Sequence, residues 1–126
     1  MELINKKETE IIIGILFNVY NELGWGYREK YYERAIAAEA KSQGISIETQ
    51  LLLPIQYKEY KIGYSKIDLL FYKLILVELK VGDKLTKKDF DQINEYLKAL
   101  NLKIGLLVLY SPKGVQFRRI ANLTNP

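Results

Sequence analysis

The chain contains neither cysteine nor histidine, and each absence excludes a group of functions. Without Cys among its 126 residues, it can form no disulfide, thiolate zinc site or cysteine nucleophile. Without His, it can form no Ser-His-Asp triad, no histidine-ligated iron site and no imidazole acid–base catalyst. Catalysis would have to use carboxylates, lysine, tyrosine, hydroxyl groups or a metal held by oxygen ligands. Oxygen ligands select hard cations, so Mg²⁺ or Mn²⁺ is the expected cofactor of such a site.

Long apolar runs are also missing. No run is long enough to span a bilayer, and the N-terminus lacks the pattern of a signal peptide, so we expect a cytoplasmic protein with no membrane partner. A hydrophobic content of 48% in 126 residues predicts one domain covering 1–126. The net charge of +4 and the pI near 9.1 favour a polyanionic partner only mildly.

Hydrophobic periodicity predicts the order helix, helix, three strands, helix, two strands. The predicted helices cover about residues 6–23, about residues 27–42, and a stretch that Thr86 begins as a cap with Asp89 at its third position. Strand-like stretches cover 45–53 and 55–60 on either side of Pro54, then 64–71 after a likely turn at Gly63, and 74–81, and together these pieces suggest an antiparallel meander. The stretches 103–110 and 115–120 follow the third helix. This order predicts an α/β or α+β fold with a mixed central sheet flanked by helices.

The most informative residues are Asp68 and the triplet Glu78-Leu79-Lys80, ten positions later. Both lie in stretches that read as buried strands, and alternation places Glu78 and Lys80 on one face. Removing such charges from water costs several kcal/mol each unless they are paired or bind a metal. One carboxylate on a strand and a Glu-x-Lys pair on its neighbour suit a metal-dependent phosphodiesterase. A solvated strand end with a cross-strand ion pair would explain the same residues without chemistry.

The register of the hairpin decides whether these residues can meet. A two-residue link at Tyr72-Lys73 would set Asp68 opposite Val77, on the wrong face from Glu78. For the site to form, the hairpin must be offset by one residue, through a bulge or a three-residue turn, and we predict this offset. The carboxylates of Asp68 and Glu78 should then lie within roughly 4 to 6 Å, with the Lys80 amine nearby.

The chain resembles the GxxExxY proteins, a group within the PD-(D/E)xK nuclease superfamily, also called restriction-endonuclease-like. The stretch Gly26–Tyr32 matches the Gly-x-x-Glu-x-x-Tyr signature, and further matches are Ile67–Leu70, Val77–Lys80 and Gln92–Ala99. Ile67 stands where the superfamily motif has a proline that varies widely. The resemblance covers nearly the whole chain and implies an αβββαβ core with a site at one edge of the sheet.

The resemblance also implies roles for individual residues. Asp68 and Glu78 would be the metal-binding acids, with the Leu79 carbonyl as a further ligand, and Lys80 would be the catalytic lysine. Glu29 would be an additional acid from a core helix and Gln92 a helix glutamine near the site. From the residues alone, Glu29 also reads as a helix-dipole partner and Gln92 as a partly exposed helix polar residue.

The expected function is metal-dependent hydrolysis of phosphodiester bonds in nucleic acid, with DNA favoured over RNA. A cluster of Lys84, Lys87 and Lys88 could bind the phosphate backbone, although a solvated helix start explains it as well. Two alternatives remain. One is an inactive relative that binds nucleic acid or a protein, and the other is a regulatory homodimer whose ten tyrosines line the interface.

Overall fold

The computed structural model describes residues 5–122, which form three helices and one sheet. The elements follow the predicted order along the chain. They are α1 (Lys6–Leu23), α2 (Glu29–Ser42), β1 (Ile47–Tyr57), β2 (Tyr60–Phe71), β3 (Ile75–Val81), α3 (Lys87–Leu100), β4 (Ile104–Ser111) and β5 (Gly114–Ala121). No helix in this range has both the length and the apolarity that crossing a bilayer requires.

The sheet has the strand order β1-β2-β3-β4-β5. Strands β1, β2 and β3 form an antiparallel meander, β3 and β4 pair in parallel because α3 connects them, and β5 returns antiparallel to β4. The sheet is therefore mixed and flanked by helices, and the order from α2 to β4 is αβββαβ, which confirms the predicted fold class and core.

Two apolar clusters hold the helices to opposite faces of the sheet. Helices α1 and α2 bury residues such as Ile12 and Ile36 against Val77 and Leu79 of β3. On the other face, α3 buries Ile93 and Leu97 with Leu76 and Leu107. Strands β3 and β4 are thus covered on both sides, as expected for parallel neighbours, and this explains their nearly continuous apolar runs.

Two predicted strand boundaries are wrong. Strand β1 continues through Pro54, and Gly63 lies inside β2, with the turn at Lys58-Glu59 instead. Proline is tolerated because β1 is an edge strand, where a missing N–H removes no ladder bond on the open side. A register shift between Ile55 and Gln56 adjusts the far end of this two-stranded ribbon.

The capped start of α3 and its close packing on the sheet fix the position of this helix. Thr86 caps the helix and forms a capping box with Asp89, as predicted. The helix approaches β4 closely at Gly105, where a Cβ atom would lie 3.0 Å from Ile93 Cδ1 and 3.3 Å from the Leu76 carbonyl oxygen. The absence of a side chain at this position lets α3 lie flat on the sheet.

We predict that Gly105→Ala lowers the free energy of unfolding by about 1–3 kcal/mol, the usual cost of overpacking a core. The matched control is Gly14→Ala, because an added Cβ in the α1 interior meets nothing within 4 Å. That change should stabilise the protein by roughly 0.5–1 kcal/mol. Urea unfolding of the three proteins measures both effects, and equal stability of Gly105→Ala and wild type would contradict the proposed close approach.

Candidate active site

Strands β2 and β3 separate just beyond their hairpin and form a fork. They pair at Leu69–Val77, Leu70–Leu76 and Phe71–Ile75, after which the ladder ends. Three residues, Tyr72 to Leu74, connect the strands, and the Leu74 N–H donates to the Phe71 carbonyl at 2.9 Å. The register is therefore offset by one residue, as predicted, and its continuation sets Asp68 opposite Glu78.

Carboxylates replace the missing ladder bonds inside this fork. The Asp68 N–H donates to Glu78 Oε1 at 3.3 Å, and the Leu79 N–H donates to Asp68 Oδ2 at 3.1 Å. Each acid thus satisfies a backbone donor of the opposite strand, which a buried strand end requires. The two side chains are held across the fork by the backbone itself.

Helix α2 adds two further carboxylates to the Asp68 side of the fork. Within residues 5–122, Glu29, Glu33 and Asp68 each offer a carboxylate oxygen, and these oxygens all lie within 4.8 Å of one another. Glu33 is buried, Asp68 half-buried and Glu29 exposed. We call these three residues the acid cluster.

Glu33 and Gln50 are site residues that the sequence interpretation missed. Gln50 Nε2 donates to Glu33 Oε1 at 2.6 Å, from a backbone position with φ of 54° inside β1. Glu33 had a detectable signal, because it follows Glu29 by four residues and so shares its helix face. Gln50 had none, since a left-handed residue within a strand has no sequence pattern.

Burial and mutual repulsion raise the pKa of the acids. Burial, then the Asp68 charge and then the Glu29 charge raise the pKa of Glu33 from 4.5 to about 7. Burial and the Asp68 charge likewise raise the pKa of Glu78 to about 9, and they raise that of Glu29. Crowded oxygen donors of this kind fit a hard divalent cation, whose charge would relieve the repulsion.

Lys80 is oriented by α3. Its Nζ donates to Gln92 Oε1 at 2.8 Å and lies 3.9 Å from Asp89 Oδ1. Gln92 is half-buried, so the structure brings together Lys80 and the predicted helix glutamine. These partners lie on α3 and not across the strands, unlike the cross-strand ion pair that would have explained the residues without chemistry.

The Gly26–Tyr32 stretch has a mechanical role in placing Glu29. The Tyr32 hydroxyl donates to the Gly24 carbonyl at 2.6 Å and accepts from the Tyr27 N–H at 3.3 Å. Gly26 turns the chain with φ of 120°, a value that favours glycine. Tyr32 is fully buried, so it fixes the connection from which Glu29 begins α2.

The remaining predicted residues lie around the α3 start. Lys84, Lys87 and Lys88 are exposed, and Lys87 pairs with Asp91 at 2.8 Å. The Leu79 side chain is buried in the core beneath α1 and α2, while its N–H faces Asp68. The roles of these residues in binding stay predictions.

Comparison with known families and structures agrees with this architecture. A family model described as the PD-(D/E)XK nuclease superfamily matches residues 6–120, so the chain belongs to that superfamily. Its nucleases are typically dependent on a divalent metal, and nucleic acid is their class of substrate. A comparison with curated proteins finds no match.

Two solved structures show the extent of the structural likeness. The structure titled "Crystal structure of SSO0001" matches with a TM-score of 0.50 at 16% identity, covering 98% of this chain and 80% of that one. An alkaline exonuclease, LHK-Exo from Laribacter hongkongensis, matches with a TM-score of 0.41 at 14% identity, covering 95% and 72%. At 16% identity, the likeness to the first of these structures shows a similar fold and no more.

We predict that Glu33→Gln changes the pH dependence of stability. The raised folded-state pKa of Glu33, about 7 against 4.5, means that the folded protein binds this proton more tightly than the unfolded chain. The wild type therefore loses this contribution to stability as the pH rises through about 7, and the variant lacks the contribution while keeping those of Glu29 and Glu78. Above that pH the variant should be more stable by about 1 kcal/mol, after discounting for solvent screening.

Urea unfolding without divalent ions, over a series of pH values, measures this difference. Glu22→Gln is the control, because it removes an exposed carboxylate from α1 outside the cluster. A Glu33→Gln difference that is constant across the series would show that Glu33 is not crowded by the other acids.

Proposed function

We propose that the protein is a divalent-metal-dependent nuclease that hydrolyses phosphodiester bonds. The observation that carries the proposal is the fork, in which Asp68 and Glu78 fill the opening between β2 and β3 while Lys80 stands at its α3 side. Within the superfamily, we assign the chain to the GxxExxY group on Gly26, Glu29 and Tyr32, each of which has a structural reason for its identity.

The residues divide the work of hydrolysis between them. A water oxygen must attack phosphorus while the bond to the leaving oxygen breaks and that oxygen gains a proton. The acid cluster and Glu78 are the residues that would hold Mg²⁺ or Mn²⁺. The chemistry that the bound cation supplies is neutralisation of phosphoryl charge and acidification of its water.

Lys80 acts on the phosphoryl group from the α3 side of the fork. Its ammonium places positive charge where negative charge develops during attack. Gln92 and Asp89 restrict the long lysine side chain to one arrangement, so little reorganisation is needed at the moment of reaction.

The test measures metal binding and cleavage separately. Asp68→Asn should weaken Mn²⁺ binding strongly, since it removes a carboxylate charge while leaving an oxygen to accept from the Leu79 N–H. It should also abolish cleavage. Lys80→Met should reduce cleavage about a hundredfold or more but leave Mn²⁺ affinity nearly unchanged, because an ammonium is not a ligand.

Calorimetry with Mn²⁺, together with cleavage of short DNA and RNA substrates in Mg²⁺ or Mn²⁺, supplies the two measurements. Glu22→Gln is again the matched control, with wild-type values expected in both. Equal Mn²⁺ affinity of Asp68→Asn and wild type would overturn the metal assignment. Wild-type protein that binds Mn²⁺ but cleaves no substrate would favour an inactive, nucleic-acid-binding relative. DNA is the substrate that we expect to be cleaved.

A regulatory homodimer is the second function that one observation favours. The β1–β2 ribbon exposes large apolar side chains, with Leu52 and Ile62 more than 60% exposed and Tyr64 56% exposed. Its outer strand is a sheet edge with open backbone groups, which can pair with another copy. Leu52→Lys should dissociate such a dimer in analytical ultracentrifugation, while a wild-type protein that sediments as a monomer excludes it.

A further inference from the structure

A groove of about 670 Å³ lies between α2 and the edge strand β1, next to the acid cluster. Thr49 and Gln50 line its sheet side, and Ala37 and Ala38 leave it open on the helix side. The acid cluster forms part of its wall. We call it the α2 groove.

Cations line this groove in a regular stripe. Lys30, Arg34 and Lys41 follow one another at intervals of four and seven residues, which keeps them on one face of α2. Lys66 adds a fourth cation from β2. No ion pair within the described residues neutralises the three cations of α2.

The stripe has the length and sign that a nucleic-acid backbone requires. Lys30 and Lys41 are eleven residues apart, which is about 16 Å along a helix. At roughly 3.4 Å per nucleotide of a stacked strand, that length spans four to five phosphates. The cations would attract those phosphates without a metal ion, whereas the acids, which sit together at one place in the groove, would repel only the phosphate next to them until a metal ion is bound.

An exposed aromatic ring adjoins the stripe. The Tyr31 side chain is 44% exposed, and Lys30 Nζ and the Arg34 guanidinium lie over its ring, 5.1 and 5.7 Å from the ring centre. A stacked base would take their place on the ring as the two cations turn to the phosphates. An aromatic face beside a positive groove is the chemistry that binds unpaired bases with their backbone. A duplex keeps its bases stacked inside and offers no base to this ring.

We propose that a single strand of nucleic acid lies in the α2 groove, with its phosphates on Lys30, Arg34, Lys41 and Lys66 and a base stacked on Tyr31. The inference rests on the proposed nuclease function and specifies its substrate as single-stranded. The strand runs along α2 past the acid cluster, where the phosphate to be cleaved lies.

The experiment measures binding in EDTA, so that no cleavage intervenes. Fluorescence anisotropy with a labelled oligonucleotide, single-stranded or as a duplex of the same sequence, gives affinity as a function of salt. A triple variant that combines Lys30→Gln, Arg34→Gln and Lys41→Gln should flatten the slope of log affinity against log salt by about 2. The reason is that each single-strand phosphate neutralised by a cation adds roughly 0.7 to that slope. The combined Lys30→Arg, Arg34→Lys and Lys41→Arg variant keeps the charge and should keep the slope.

A second triple variant, Lys84→Gln, Lys87→Gln and Lys88→Gln, removes the same charge at the α3 start. It represents the alternative surface that the sequence suggested, and it should change the slope less than the groove variant does. Tyr31→Leu should weaken single-strand binding about tenfold at an unchanged slope, because stacking on an aromatic contributes about 1–3 kcal/mol. Circular dichroism confirms that each variant is folded.

Three binding results would overturn the proposal. They are a slope change from the α3 triple as large as that from the groove triple, tighter binding of the duplex than of the single strand, and no binding of either at low salt. Because binding is measured without cleavage, the two proposals fail separately. If the wild type shows no cleavage but the groove variants lose binding, the groove is supported and the nuclease function is rejected. If the groove variants cleave as well as the wild type, the nuclease function is supported and the groove is rejected.

Discussion

The site depends on the separation of β2 and β3 just beyond the pair formed by Leu69 and Val77, on the side away from the hairpin turn. Two backbone N–H groups lose their ladder partners there, and the carboxylates of Asp68 and Glu78 accept from them instead. This exchange needs the one-residue offset of the hairpin, since without it Asp68 would face the other side of the sheet. Tyr72 and Lys73 both adopt φ of 57° to make the turn, a conformation that costs non-glycine residues about 1–2 kcal/mol each. The packing of Phe71 and Ile75 at the hairpin end holds that conformation in place.

The same exchange makes the site electrostatically unfavourable without a cation. Glu78 in the fork and Glu33 beside it are both removed from water and lie near the Asp68 charge, so their pKa values rise. Two layers of apolar packing above and below β3 stabilise the fold against this cost. Such a cost is characteristic of functional sites: replacing the acids would make this part of the protein more stable. A structural ion pair would have placed a lysine between the acids, whereas Lys80 is drawn away towards Gln92 and Asp89.

Features of the sequence with short-range physical causes were predictable. The Thr86 cap and the order of the elements follow from capping and periodicity, whereas the offset hairpin followed only from the requirement that the two carboxylates of a site share a face. The boundaries at Pro54 and Gly63 were not predictable from local preferences, because only the position of β1 at the sheet edge makes an internal proline harmless. Glu33 was missed for a related reason. It interrupts an apolar stripe between Tyr32 and Ile36, and its burial is explained only by Gln50 and Asp68, which come from distant parts of the chain.

Helix α2 shows why charge clusters in a sequence can be a poor guide to a binding surface. One face of the helix carries the two glutamates of the acid cluster in its first turns and then Ile36 and Ala40 of the core. The adjacent face carries the basic stripe that lines the α2 groove, spread over twelve positions of the sequence. Lys84, Lys87 and Lys88 are closer together in the sequence, but one of them is paired with Asp91 and none of them lines the groove. Helical phase therefore brings opposite charges into adjacent lines on one helix, so that a backbone attracted by the stripe is carried past the acids that would hold the metal.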